Sequence, residues 1–119
     1  MDKSTSIEEL KTRVKDYCEV RDWDQFHHAK ELSINILAES SELLQLFRFK
    51  SNEEVDVLLQ DEVFRQKVGE EIADVAYALL RLVQKYNFDL STEFENKMLK
   101  NEHKYPIDKF KSSPKKYNE

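Results

Sequence analysis

The chain has 119 residues, 36% of them charged, and a net charge of -5. That leaves room for one domain with a modest core and gives no general electrostatic attraction to nucleic acid polymers or anionic membranes. One glycine and two prolines exclude the glycine-rich loops of P-loop and dinucleotide-binding enzymes and argue for long helices; one cysteine excludes an internal disulfide. No secretion signal and no apolar run of membrane-spanning length is visible, so a reducing, cytoplasmic setting is expected.

A first helix is expected from Ser6, where Ser6 and Glu9 have capping-box spacing, through Ile7, Leu10, Val14, Tyr17 and Cys18 to about Val20. Residues 21–28 lack a helical period and read as an ordered loop carrying Trp23 and Phe26. A second helix is expected from about Ala29 to Phe49, followed by a polar break at Lys50 to Glu54 and a short helix through Val55 to Leu59. The third long helix runs from about Asp61 to Tyr86, with Asn87 as a left-handed cap. A fourth begins near Ser91 or Thr92 and stops at Tyr105, before Pro106. The expectation is an all-α domain of four main helices over residues 1–106. The basic, non-periodic stretch 107–119 reads as a mobile tail.

Two acidic pairs stand out against this frame. At ~100° per residue, Leu32, Ile36, Leu43 and Phe47 share an arc of ~60°, with Glu39 ~20° outside it and Glu42 ~60° further round. In the third long helix Phe64, Val68, Ile72, Val75, Leu79 and Leu82 form the apolar arc. Glu71 and Asp74 take the same two offsets there, while Glu70 falls towards solvent. Helical carboxylates are most often solvated or salt-bridged. Here the same phase occurs twice without a matching basic residue, and the connection lets the two helices lie antiparallel with the pairs face to face. Clustered carboxylates repel one another unless a cation neutralises them, and an oxygen-only set favours Mg²⁺, with Mn²⁺ as a substitute. A di-iron site would need Glu-x-x-His, and no histidine stands three residues after a glutamate. Such a centre suits phosphate chemistry, with Glu70 or a ligand carboxylate as base. Lys97, Asn101 and Lys104 fall on one helical stripe, and Arg81 lies two turns beyond Asp74; these are candidate phosphate contacts, though each alone also reads as an ordinary solvated group.

Glu39-x-x-Glu42 followed by Glu71-x-x-Asp74 resembles the metal signature of the all-α MazG-like nucleoside triphosphate pyrophosphohydrolases. Residues 21–27 resemble the loop of its short, single-domain branch, which includes dCTP pyrophosphatases. Lys97-Met98-x-x-Asn101-x-x-Lys104-Tyr105-Pro106 resembles that branch's C-terminal motif. The resemblance covers roughly residues 7–106. It implies a MazG-like bundle assembling as a homodimer or dimer-of-dimers homotetramer, with Glu39, Glu42, Glu71 and Asp74 holding Mg²⁺. It further implies attack of water on the α-phosphorus, releasing a nucleoside monophosphate and pyrophosphate, as in nucleotide pool sanitation. Lys97, Asn101, Lys104 and Tyr105 would frame the phosphates, and Trp23, Phe26, His27 and Phe49 would build the nucleobase pocket, consistent with base stacking on aromatic faces. Phe49 stands where relatives often carry Trp, and Ala78 where they carry Tyr, so the preferred base stays open. Three other readings are a phosphoribosyl-ATP pyrophosphohydrolase, a non-catalytic helical module that binds a nucleotide or a partner, and a structural helical oligomer.

Overall fold

The computed structural model describes residues 1–116, which form six helices and, among the described residues, no strand. Each expected helix is present, and for all of them but the one that follows His28, which makes no side-chain cap, the local chemistry that starts it is visible. α1 (Ile7–Glu19) begins at a complete capping box: Ser6 Oγ accepts from the Glu9 N–H at 3.1 Å while the Ser6 N–H donates to Glu9 Oε1 at 3.4 Å. α3 (Asn52–Leu58) is capped by Ser51, α4 (Glu62–Lys85) by Asp61, and α5 (Leu90–Lys104) by Asp89. Each of these side chains accepts the N–H three residues on, satisfying a donor that has no intrahelical partner.

Three features differ from expectation. α2 (Ala29–Gln45) ends four residues before Phe49. The Phe47 and Arg48 N–H groups both turn back onto the Leu44 carbonyl, and Phe49 takes a left-handed φ of 64°, which closes the helix. The described residues hold six helices: the four main ones, the expected short helix in the linker as α3, and α6 (Ile107–Phe110) in the segment expected to be a mobile tail. Pro106, with its φ near that of a helix, leads into α6, and the Phe110 ring meets Tyr105 edge-on at 4.8 Å, an aromatic pairing that helical period alone does not reveal. The expectation of mobility for residues 117–119 lies outside the described residues.

The third difference concerns α4, which packs against both α2 and α1. Both neighbours run antiparallel to it. Phe47 at the end of α2 meets Phe64 at the start of α4, and the N–H of Ala29, at the start of α2, donates to Tyr86 Oη at 2.9 Å. Likewise Cys18 at the end of α1 contacts Tyr77, while Lys11, Thr12 and Lys15 share a surface hollow with Gln84 and Asn87. The core is small: Val14 and Cys18 from α1, Leu32 from α2, and Val68, Ala78 and Val83 from α4. Because α4 serves two partners on the carboxylate side of its apolar arc, the other edge is left over. Ile72 and Leu79, expected inward, are 53% and 39% exposed. The chain divides into two compact units, the first Met1–Asn87 and the second beginning at Phe88. The first holds α1 to α4, and the second holds α5 and α6.

Candidate functional site

Within the first unit the antiparallel packing of α2 and α4 brings the two acidic pairs together. One carboxylate oxygen from each of Glu39, Glu42, Glu71 and Asp74 lies within 4.8 Å of the others. Glu39 and Glu71 are half-buried and their Oε2 atoms, cut off from solvent, accept no hydrogen bond, whereas Glu42 and Asp74 open to solvent. Buried carboxylate oxygens without donors are costly and rare, and four converging carboxylate oxygens suit a hard divalent cation. Burial holds the Glu39 carboxyl above the usual carboxylate range, and its hydrogen bond with Glu42 and the charges of Glu42, Asp74 and Glu71 add to that. Glu71 is raised too, first by burial and then by the charges of Glu42 and Asp74. Glu70 is exposed and outside the cluster.

Beside Asp74 lies a cavity of about 500 Å³, lined by Arg13, Val14, Tyr17, Trp23, Ala73, Asp74 and Tyr77. Its walls are aromatic. Tyr17 meets Trp23 edge-on at 5.7 Å and Tyr77 at 6.0 Å, and the Tyr77 hydroxyl lies 3.2 Å from Cys18 Sγ. The Tyr77 pKa is raised, chiefly by burial and next by this contact. Of the four aromatic residues expected to form a base pocket, only Trp23 lines the cavity. Phe26 and Phe49 are 62% and 91% exposed, the latter lying under the Arg48 guanidinium at 4.5 Å. His27 contacts the Trp23 ring at 6.0 Å without lining the cavity. The wall residues not anticipated are Arg13, Val14, Tyr17, Ala73 and Tyr77, of which Val14 and Tyr17 are visible in the sequence as the apolar phase of α1. Periodicity alone assigns such residues to a core and does not separate core from cavity.

Arg81, expected to face phosphate, is 1% exposed. Its Nε donates to His27 Nδ1 at 2.9 Å, Nη1 to Gln84 Oε1 at 2.5 Å, and Nη2 to Asp24 Oδ1. Lys85 Nζ donates to the Asp24 carbonyl at 2.6 Å and to that of His27. Both cations are thus committed to the Trp23 loop. The hydrogen bond from Arg81, reinforced by its charge and that of Lys85, holds Asp24 below the usual carboxylate range; burial, with those two charges, lowers His27. In the second unit Lys97 and Lys104 are exposed on α5, Asn101 is half-buried, and Tyr105 caps the helix, its N–H donating to the Asn101 carbonyl at 2.8 Å.

A model of the MazG-like family matches residues 32–119. The chain belongs to the MazG-like family. It is 30% identical to dCTP pyrophosphatase 1 of Homo sapiens over 114 residues, 96% of this chain and 67% of that protein, and 29% identical to the Rattus norvegicus protein of the same name over the same shares. A solved pyrophosphatase from Archaeoglobus fulgidus shares 35% identity at a TM-score of 0.78, covering 84% of this chain and 92% of that one. The MazG-like chain described here is an enzyme of the nucleoside triphosphate pyrophosphohydrolase class. Among its described residues no helix is long and apolar enough to cross a membrane.

Proposed function

We propose that this MazG-like enzyme hydrolyses dCTP or a related, base-modified deoxynucleotide to its monophosphate and pyrophosphate, with Mg²⁺ as cofactor, serving to cleanse the cytoplasmic nucleotide pool. The observation that carries the reading is the junction of two surfaces at one residue. Asp74 belongs both to a four-carboxylate cluster with orphaned buried oxygens and to the wall of an aromatic cavity of about 500 Å³. That volume accommodates a nucleobase with its sugar. In this reading Glu39, Glu42, Glu71 and Asp74 hold the cation, with Mn²⁺ as a substitute. When bound, a divalent ion supplies charge neutralisation at phosphate oxygens and lowers the pKa of an attacking water.

The chain's own side chains do the rest. Trp23, Tyr17 and Tyr77 present ring faces and edges to the base and exclude water around it. Glu70, outside the cluster, and the ligand carboxylates themselves are the candidates to accept the proton of the attacking water. Lys97, Asn101, Lys104 and Tyr105 are proposed as phosphate contacts on the strength of their motif's resemblance to the family's C-terminal one. The apolar residues left outside the core, Ile34, Leu37 and Leu44 on α2 with Ile72 and Leu79 on α4, support assembly as a homodimer or homotetramer. The test is release of pyrophosphate and monophosphate from a panel of canonical and modified NTPs and dNTPs, with Mg²⁺ and with EDTA. Magnesium-dependent pyrophosphate release that ranks dCTP or a modified dCTP first supports the reading. Release of orthophosphate, or no turnover of any nucleotide, refutes it.

A further inference from the structure

The Arg81 cluster is the most heavily bonded polar group in the first unit, and the hydrolytic reading gives it no task. A guanidinium taken almost wholly out of water is expensive unless its donors are matched, and here all three nitrogens donate within the fold. Two of the three acceptors, His27 and Asp24, belong to the loop between α1 and α2. Lys85, one turn further along α4, seizes two carbonyls of the same loop. Between Asp24 and the end of α1 sits Trp23, whose ring forms a wall of the cavity and touches His27. Loops without regular structure drift by more than the tolerance of a binding site unless they are tied down, and this one is tied at four points to one helix.

That helix also carries Glu71 and Asp74 of the carboxylate cluster and Tyr77 of the cavity wall. Its rise of about 1.5 Å per residue sets the ten-residue step from Glu71 to Arg81 at about 15 Å. We propose that Arg81 is a positioning residue: by gripping Asp24 and His27 it fixes the Trp23 ring at a set distance from the carboxylate cluster, so that α4 acts as the ruler between base and phosphate. The grip also bears on His27: because its Nδ1 accepts from Arg81 Nε, the ring is neutral with the proton on Nε2.

This inference rests on the cavity being the nucleobase site, and the experiment separates the two. Arg81→Met and Arg81→Lys are compared with the wild-type enzyme by kcat and KM for the best substrate of the panel, by Mg²⁺-induced thermal stabilisation, and by emission and acrylamide quenching of Trp23, the chain's one tryptophan. The expected result for Arg81→Met is a KM raised about tenfold or more, which corresponds to about 1.4 kcal/mol or more. The same variant should keep kcat within about threefold, bind Mg²⁺ normally and show a red-shifted, more quenchable Trp23. Arg81→Lys, which can meet Asp24 but lacks the planar fork needed to meet His27 as well, should recover part of the KM and part of the emission. Asp24→Asn, at a side chain 57% exposed, leaves the fold under less threat and should shift KM and Trp23 in the same direction by a smaller factor. Unchanged KM and unchanged Trp23 emission in folded Arg81→Met and Asp24→Asn overturn the proposal, as does loss of kcat at unchanged KM. If no nucleotide is turned over, the hydrolytic reading fails by itself, while the Trp23 emission still decides whether Arg81 holds the loop.

Discussion

Replacing Glu71 by Gln gives the enzyme opposite stability changes with and without metal, and the two together test the carboxylate cluster more sharply than activity does. In the metal-free wild type, burial and the neighbouring charges hold Glu39 and Glu71 above the ordinary carboxylate range. A carboxyl with a raised folded-state pKa binds its proton more tightly in the native than in the unfolded chain. The stability contributed by these two groups is therefore largest below the unfolded pKa and falls as pH rises through the raised folded values. Near neutral pH the ionised Glu71 works against folding, so metal-free Glu71→Gln should melt above metal-free wild type. A cation that binds only the native state adds RT ln(1 + [L]/Kd), about 2.7 kcal/mol at about 100 times Kd. At about 2.1 cal/mol/K of unfolding entropy per residue, a chain of 119 residues loses about 0.25 kcal/mol of stability per degree near Tm, so Mg²⁺ should raise the wild-type Tm by about 11 °C. Glu71→Gln should show little of that rise, and the two melting curves should exchange order when Mg²⁺ is added. Differential scanning fluorimetry with EDTA and with graded Mg²⁺ measures this directly. A wild-type Tm indifferent to Mg²⁺, or a metal-free Glu71→Gln that melts below wild type, would refute the reasoning.

Two other expectations follow from the helices themselves. Asp61→Ala removes the side chain that caps α4 at 3.0 Å and should cost about 1 kcal/mol, or about 4 °C in Tm, without altering substrate ranking; no change in a thermal melt would mean the cap is redundant. Leu37 is 71% exposed on α2, so Leu37→Glu should leave the fold intact while lowering the mass seen by sedimentation equilibrium; an unchanged mass would exclude this face of α2 as a subunit contact.

How far the site could be seen in the sequence depends on the range of the interaction concerned. The capping box at Ser6 and the left-handed Asn87, with φ of 60°, are short-range and legible in the sequence. The meeting of Glu39, Glu42, Glu71 and Asp74 was legible because it needs only helical phase and one antiparallel pairing. The fate of Ile72 and Leu79 was not, since an apolar arc does not say which neighbour covers which edge, and α4 turned out to share itself between α1 and α2. Arg81 misled for a related reason. Its phase with Asp74 suggests a phosphate contact, whereas two of its three partners, Asp24 and His27, lie more than fifty residues earlier in a loop without periodicity. Phe49 is expected in the base pocket only through the family resemblance; its backbone is left-handed and its ring is exposed.

Cys18 is wholly shielded from solvent, at the seam where α1 meets the middle of α4, and its sulfur touches the hydroxyl of a cavity wall residue. A thiol so placed reacts with an alkylating reagent only in those moments when the first helix lifts away, and no second thiol confuses the signal. The rate of alkylation is therefore a built-in clock for the opening of that seam, readable by mass spectrometry without engineering the chain. Because the lifted helix takes Val14 and Tyr17 with it, the same clock times how often the cavity itself comes apart.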